Sequence, residues 1–314
     1  MKKDLLTLFD MTRRDLDALF READRLRADH TAAPLLGATV AMIFQKPSLR
    51  TRVSFEVGVA HLGGRTSFLS QEGIGIGTRE SAHDVAMLLS RYCDAIVARL
   101  YDHEVIVELA RYATIPVINA LTDLSHPCQV LADLYTIKQH GKLKPGVRVA
   151  FVGDGNNVVN SWLEIASLYP LDFVLAAPRG YWPDEAILRR ARETGVSTIE
   201  VTDDPSLAVD QAGVVYTDVW TSMGQEAESE QRKKDFAGFQ VNEELMSQAS
   251  SDCLVMHCLP AHRGEEITAG VIDGPNSVVF DEAENRLHIQ KAVLSLLCAG
   301  DSVPVRDRKR VRTG

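Results

Sequence analysis

Phe44-Gln45-Lys46-Pro47-Ser48-Leu49-Arg50-Thr51-Arg52-Val53-Ser54-Phe55-Glu56 lies where a β-rich run, residues 39–44, hands over to an apolar-periodic run, residues 53–62. A strand-to-helix turn of this kind offers unpaired backbone N–H groups and the positive end of a helix dipole, a setting suited to an anion such as phosphate. Arg50 adds a planar, always-charged fork matched to phosphate oxygens. The plainer alternative is a Ser48 N-cap followed by two surface arginines. The strand ends elsewhere in the chain decide between them.

On either side of this stretch, strand and helix patterns alternate. Residues 12–29 read as an amphipathic helix capped by Thr12, with Leu16, Leu19, Phe20 and Leu26 on one side. After the opening motif come strands at 65–69, 95–98 and 116–120, with helices at 81–92, 102–112 and 127–140. The run His140-Gly-Lys-Leu-Lys-Pro-Gly146 stops a helix and turns the chain. The alternation then restarts, with strands at 147–152, 173–176, 198–201, 214–217 and 254–257. A short strand at 278–280 and a last helix at 282–298 complete the expectation. Strands separated by helical runs mean crossover connections and parallel sheets. The fold class is α/β: two open parallel-sheet, three-layer αβα domains joined by interdomain helices.

Ligands of open parallel sheets sit beyond the carboxyl ends of strands. Six strand ends here carry unusual polar groups: Ser48, Arg50 and Thr51; Arg99; His126 and Gln129; Asp154 and Asn157; Asp218; and Cys258. That recurrence favours the phosphate reading of the opening stretch.

The whole chain has 314 residues, 45% hydrophobic and 25% charged, with 34 Lys and Arg against 43 Asp and Glu. This is the balance of a soluble protein with a full core. The net charge of −9 argues against a nucleic-acid partner. The basic run at 306–312 reads as a solvated tail. Charges interrupt the N-terminal apolar run at once, and no stretch reaches membrane-spanning length. The five cysteines have no paired spacing and are expected to be reduced, which points to a cytoplasmic protein.

Several local motifs have two readings. In His126-Pro127-Cys128-Gln129, proline favours the first helical turn, so His126 and Gln129 either face a ligand together or cap a helix. No second His or Cys stands at metal-ligand spacing, and no metal is expected. Gly153-Asp-Gly-Asn-Asn157 sits where a dinucleotide fingerprint would, but Val158 replaces the third glycine. Asn156 and Asn157 read instead as hydrogen-bonding groups for a small polar substrate. Asp218 either holds an ammonium group or caps a helix, and Ser222-Met223-Gly224 reads as a mobile loop. His257 and Cys258 are adjacent on a strand and point to opposite faces, which argues against a Cys–His catalytic pair. Arg286 reads most plainly as a surface partner of Glu282.

Taken in order, Ser48-Leu49-Arg50-Thr51-Arg52, His126-Pro127-Cys128-Gln129, Gly153 to Asn157, Asp218 to Gly224 and His257 to Pro260 resemble the motifs of the ornithine carbamoyltransferases, over roughly residues 5–299. The resemblance implies carbamoyl transfer from carbamoyl phosphate to L-ornithine, without a cofactor. It implies that Ser48, Leu49, Arg50 and Thr51 hold the phosphate, and that Arg99, His126 and Gln129 polarise and orient the carbamoyl group. Cys258, Leu259 and Arg286 would complete that site; Asn157, Asp218, Ser222 and Met223 would meet ornithine. The catalytic set it implies is Arg50, Arg99, His126, Gln129, Asp218 and Cys258. Residues 1–141, completed by a C-terminal helix at 284–300, would bind carbamoyl phosphate, and residues 146–283 ornithine. The usual assembly of such proteins is a trimer, or a multiple of trimers, with sites at subunit boundaries. There the chain departs: a Gln that reaches across the boundary in many relatives matches Gly75 here, leaving backbone or Thr78 for that contact. The rival readings are a sister carbamoyltransferase acting on putrescine or an N-acylated ornithine, a nicotinamide-dependent dehydrogenase, and a non-catalytic protein on the same fold.

Overall fold

The computed structural model describes residues 3–221 and 226–298. After a short 3-10 turn, α1 (Arg13–Ala28) starts from a reciprocal capping box between Thr12 and Asp15. The chain continues through β1 (Thr39–Phe44), α2 (Leu49–His61), β2 (Arg65–Ser70), α3 (Gln71–Ile74), α4 (Ala82–Tyr92), β3 (Ala95–Arg99), α5 (His103–Tyr112), β4 (Val117–Leu121) and α6 (Pro127–Gln139). The second unit follows with β5 (Val147–Val152), α7 (Asn157–Ala166), β6 (Leu171–Ala176), α8 (Glu185–Glu193), β7 (Thr198–Thr202), α9 (Pro205–Val209) and β8 (Val214–Thr217). It ends with α10 (Ser229–Asp235), α11 (Glu243–Met246), β9 (Leu254–His257), α12 (Ala269–Ile272) and the long α13 (Val279–Cys298).

The strands form two sheets, ordered β2-β1-β3-β4 and β7-β6-β5-β8-β9, and every pairing between named strands is parallel. Purely parallel strands need helices on both faces, and the core is arranged accordingly. Ala41, Ile43, Ile96 and Ala98 pack on α4 and α5, while Ala150, Val152, Val174 and Val215 pack on the outer helices of the second sheet. The two inner faces share one continuous apolar cluster that runs from Val40 and Val97 through Leu131 and Trp162 to Phe151 and Tyr216.

Two helices fuse the units through that cluster. Residues Pro127 to Ile137 of α6 are buried all round, because the helix packs on β4, α7 and α13 at once. This explains why α6 shows no clean amphipathic stripe. α13 lies against α1, α2 and α6 and also touches β9.

One element differs from the sequence expectation. Residues 278–280 form no strand; Ser277 makes an isolated bridge to Val255, and α13 begins at Val279. The β-branched pair Val278-Val279 mimicked a strand, but Asp281 and Glu282 favour the positive end of a helix, and the Glu282 N–H already closes on Val278 O at 2.9 Å.

The loop around Gly75 turns on a left-handed backbone. Gly75 caps α3 at φ +63, and a Cβ there would stand 2.9 Å from Arg79 Cβ, so the left-handed backbone and the close approach both favour glycine. Thr78 turns its hydroxyl back onto Gly75 O at 2.9 Å.

Candidate active site

The carboxyl ends of β1, β3, β4, β5, β8 and β9 open onto one cleft of about 830 Å³ between the two sheets. Of the residues singled out from sequence, Ser48, Leu49, Arg50, Arg99, His126, Gln129, Asn157, Asp218, Cys258, Leu259 and Arg286 line it. Thr51 lies fully buried just beneath. Ser222 and Met223 lie outside the described residues.

The β1–α2 turn is the anion-facing wall. Ser48 is extended at φ −163, and its hydroxyl accepts the Thr51 N–H and lies 3.1 Å from the Thr51 hydroxyl. Thr51 Oγ1 also accepts from Arg286 Nη2 at 2.7 Å. Arg286 is therefore no surface residue: it is 3% exposed, pairs with Thr51 rather than Glu282, and sits well inside α13 because the helix starts earlier than the sequence indicated. Arg52 points away, exposed, to Glu56 at 3.0 Å and over the Phe68 ring. Of the two arginines of the motif, only Arg50 faces the cleft; its Nη2 donates to Leu259 O at 2.6 Å. Leu259 holds φ +56, a conformation that costs a non-glycine residue on the order of 1–3 kcal/mol.

Arg50, Arg99, Arg286 and His126 crowd one end of the cleft. Among the described residues no carboxylate pairs with any of the three guanidinium groups, and the Nε atoms of all three are buried without a protein partner. Burial, followed by repulsion from Arg286 and Arg50, pushes Arg99 down to about 10. Burial and then Arg286, Arg99 and Arg50 hold His126 well below the ordinary histidine value, so its imidazole is neutral. The His126 N–H is anchored on Ser161 Oγ at 2.8 Å, and its Nδ1 is buried without a partner. A cluster of cations held apart from acids is arranged to receive an anion.

The opposite wall comes from the second sheet. Asp218, 6% exposed, accepts from Asn156 Nδ2 at 2.8 Å, from the Val219 N–H at 2.8 Å and from the Cys258 thiol at 2.9 Å. Burial and the facing Asp218 carboxylate push the Cys258 thiol up, so it keeps its proton. His257 turns to the other side: Nδ1 accepts the Leu259 N–H at 2.8 Å, and Nε2 bonds Glu266 at 3.1 Å. Asp218, His257 and Cys258 bring ligand-type atoms within 4.8 Å of one another, but both His257 nitrogens are already occupied. The set does not make a ready metal site.

Asn156 departs from the expected substrate role. Its side-chain oxygen caps α7 and its amide holds Asp218, so both ends are used by the protein. Asn157 does face the cleft, and its Nδ2 donates to Thr122 O of the first unit at 2.6 Å. The glycine turn before them does not hold a pyrophosphate: the Gly155 N–H is donated to Tyr181 O at 2.8 Å. A Cβ on Gly155 would run into the backbone of Trp182 and Pro183. Asp154 is likewise occupied, in a buried pair with Arg232 at 2.9 Å. The dehydrogenase reading has no place to bind its cofactor there.

Sequence reasoning passed over Lys46 and Asp133 and set Glu282 on the surface. Lys46 lines the cleft beside the opening motif, with its ammonium over the Tyr101 ring; its place directly after β1 was the available signal. Asp133 and Glu282, both buried, contact Gln129 from below. Only the packing of α6 on α13 reveals them.

The fold and cleft define a two-domain α/β enzyme site with a cluster of buried cationic side chains on one sheet and a polar wall built on Asp218 on the other. The model of the aspartate/ornithine carbamoyltransferase carbamoyl-phosphate-binding domain matches residues 3–139, and that of the Asp/Orn-binding domain matches residues 145–297. The chain belongs to the aspartate/ornithine carbamoyltransferase family. It is 59% identical over 268 residues to an ornithine carbamoyltransferase of Chlorobaculum tepidum, covering 85% of this chain and 79% of that one. Against the ornithine carbamoyltransferase structure of Pyrococcus furiosus the TM-score is 0.90 at 51% identity, over 95% of this chain and 97% of that one. Against the anabolic ornithine carbamoyltransferase structure of Campylobacter jejuni it is 0.90 at 39% identity, over 93% and 97%.

Proposed function

We propose that this chain transfers the carbamoyl group of carbamoyl phosphate to the δ-amine of L-ornithine, giving L-citrulline and phosphate. The observation that carries the reading is the convergence of Arg50, Arg99, Arg286 and neutral His126 at one end of the cleft that Asp218 and Asn157 wall at the other. Ser48, the Leu49 backbone, Arg50 and Thr51 grip the phosphate at the start of α2. Arg99 and His126 donate to the carbamoyl oxygen, Gln129 meets its amino group, and Cys258, Leu259 and Arg286 close the site. Asn157 and Asp218, together with Ser222 and Met223, hold ornithine. Residues 1–141 with 284–300 form the carbamoyl-phosphate unit, and residues 146–283 the ornithine unit.

In the reaction the neutral δ-amine attacks the carbamoyl carbon and a tetrahedral oxyanion forms. The carbon–oxygen bond to phosphate then breaks, with its electron pair leaving on phosphate. Arg99 and His126 stabilise the oxyanion, while Arg50 and Arg286 take up charge on the leaving group. A neutral imidazole here donates without adding a fourth full charge. The amine proton passes to the departing phosphate or to Asp218; the Cys258 thiol is already protonated and serves to orient Asp218. Holding both substrates in line is worth on the order of 7–11 kcal/mol.

The names of relatives from Pyrococcus furiosus and Campylobacter jejuni contain the word anabolic, which supports a place in arginine biosynthesis. The first unit exposes Leu49, Val53, Leu88 and Tyr92, apolar side chains available to subunit contacts in the proposed homotrimer or a multiple of it. No described helix is long and apolar enough to cross a membrane, and the free cysteines fit a cytoplasmic enzyme. Steady-state assays with ornithine, putrescine and N-acetylornithine test the reading. Ornithine is expected to give the highest kcat/KM; preference for either other amine would replace it with a sister activity.

A further inference from the structure

Beneath the floor of the cleft, two acids converge on one amide. Gln129 Nε2 donates to Asp133 Oδ1 at 2.8 Å and to Glu282 Oε1 at 2.8 Å. All three side chains are out of contact with water: Asp133 is 0%, Glu282 1% and Gln129 1% exposed. Glu282 is pinned in turn by the Tyr216 hydroxyl at 3.1 Å and by the His257 N–H at 3.0 Å. It is thus tied to the ends of β8 and β9, one residue from Cys258.

An amide nitrogen has two donors and an amide oxygen only accepts. Two carboxyl oxygens facing Nε2 consume both donors. Turning the amide over would set Oε1 against the charged Glu282 oxygen, so its orientation is determined by that partner rather than by convention. Gln129 Oε1 is left as the polar atom of that side chain without a protein partner, on a residue that lines the cleft. The acids tolerate each other because they do not share charge equally. Burial and the facing Glu282 carboxylate push Asp133 well above its ordinary value, while the His257 N–H, then Asp133 itself and the Tyr216 hydroxyl, limit the rise that burial imposes on Glu282. The charge rests on Glu282, and Asp133 still offers Oδ1 as an acceptor.

We infer that Asp133 and Glu282 are positioning residues that lock the Gln129 amide so that its oxygen, not its NH2, meets the amino group of the carbamoyl donor. The inference rests on the reading that Gln129 contacts carbamoyl phosphate. It explains how the site distinguishes a carbamoyl from an acetyl group of the same shape. The carbamoyl nitrogen has hydrogens to give to Oε1, and a methyl group has none.

The test is a comparison of equilibrium affinities for carbamoyl phosphate and acetyl phosphate, measured on the intact assembled protein by calorimetry. In Glu282→Gln the new amide can present its own NH2 to Gln129, releasing the lock. Affinity for carbamoyl phosphate is expected to fall about tenfold, the scale of one lost hydrogen bond, with acetyl phosphate affinity within twofold of wild type. Asp133→Asn, which leaves the Glu282 bond to the His257 N–H in place, is expected to shift the ratio in the same direction and serves if Glu282→Gln does not fold. In Gln129→Ala the preference should collapse, and adding Glu282→Gln should lower it no further. An unchanged ratio in both acid variants, or equal losses for both donors, overturns the inference while leaving Gln129 in place. An unchanged ratio in Gln129→Ala removes the underlying reading as well.

Discussion

Replacing Arg50 with alanine separates binding from folding in a way the structure makes quantitative. Arg50 is one of three guanidinium groups at the clamp, and among the described residues its hydrogen bond goes to Leu259 O. A full charge pair 4 Å apart at an effective dielectric of 20 is worth about 4 kcal/mol. Charge on the leaving phosphate develops partially, so the loss in the transition state is about 2–4 kcal/mol, or about 30- to 1,000-fold in kcat/KM for carbamoyl phosphate. The free protein should behave differently. Losing the bond to Leu259 costs about 1 kcal/mol, and relief of repulsion on Arg99 and Arg286 offsets it. The Tm without ligand should therefore stay close to wild type, while the stabilisation given by millimolar phosphate should largely vanish. Arg50→Lys keeps the charge but not the fork and should fall between. Citrulline formation and thermal melting with and without phosphate measure both halves. A kcat/KM within threefold of wild type, or an undiminished phosphate effect on Tm, would refute the clamp.

Three further outcomes follow from buried groups. Burial pushes Glu164 up to about 8 from 4.5, so the folded chain holds a proton that the unfolded chain releases, and stability falls as pH rises from about 4.5 to 8. Glu164→Gln, which keeps an acceptor for the Leu8 N–H, should flatten that slope in chemical denaturation between pH 5 and 8; an unchanged slope would count against it. His126 is depressed, so the unfolded chain takes up its proton first and the corresponding stability is present above about 6.5 and lost as pH falls below it. His126→Ala should lower kcat by about 100- to 1,000-fold, the cost of removing one oxyanion donor, yet leave the midpoint of any kcat/KM limb between pH 6 and 8 in place, since the imidazole does not titrate there. The Arg232–Asp154 pair is buried at 7% and 9% side-chain exposure, so Arg232→Met should cost about 3–5 kcal/mol of stability by stranding a buried carboxylate; a loss below 1 kcal/mol in urea titration would contradict that.

The β1–α2 turn was readable because its signals are local: the apolar run 39–44, the Ser48 cap and the helix start all fall within a dozen residues. The same holds for the strand ends, where Arg99, His126, Asp218 and Cys258 each stand beside their own strand. What resisted reading depends on contacts between distant segments. Arg286 looked like a surface residue because nothing near it says that α13 is wedged against α1, α2 and α6. Glu282 and Gln129 are 153 positions apart, and their contact exists only once the two helices pack. Asn156 was misjudged for the opposite reason. Its polar side chain stands at a strand end like the others, but it is spent on capping α7 and steadying Asp218.

The central claim is that carbamoyl passes from phosphate to one particular nitrogen. Incubating ¹³C-carbamoyl phosphate with ornithine carrying ¹⁵N at the δ position measures this directly by NMR. The account predicts a single new ¹³C signal split by the δ-nitrogen, growing in step with inorganic phosphate and at least about 30-fold slower to appear in Arg50→Ala. A ¹³C signal without that coupling, or phosphate release with no carbon–nitrogen bond formed, would contradict it.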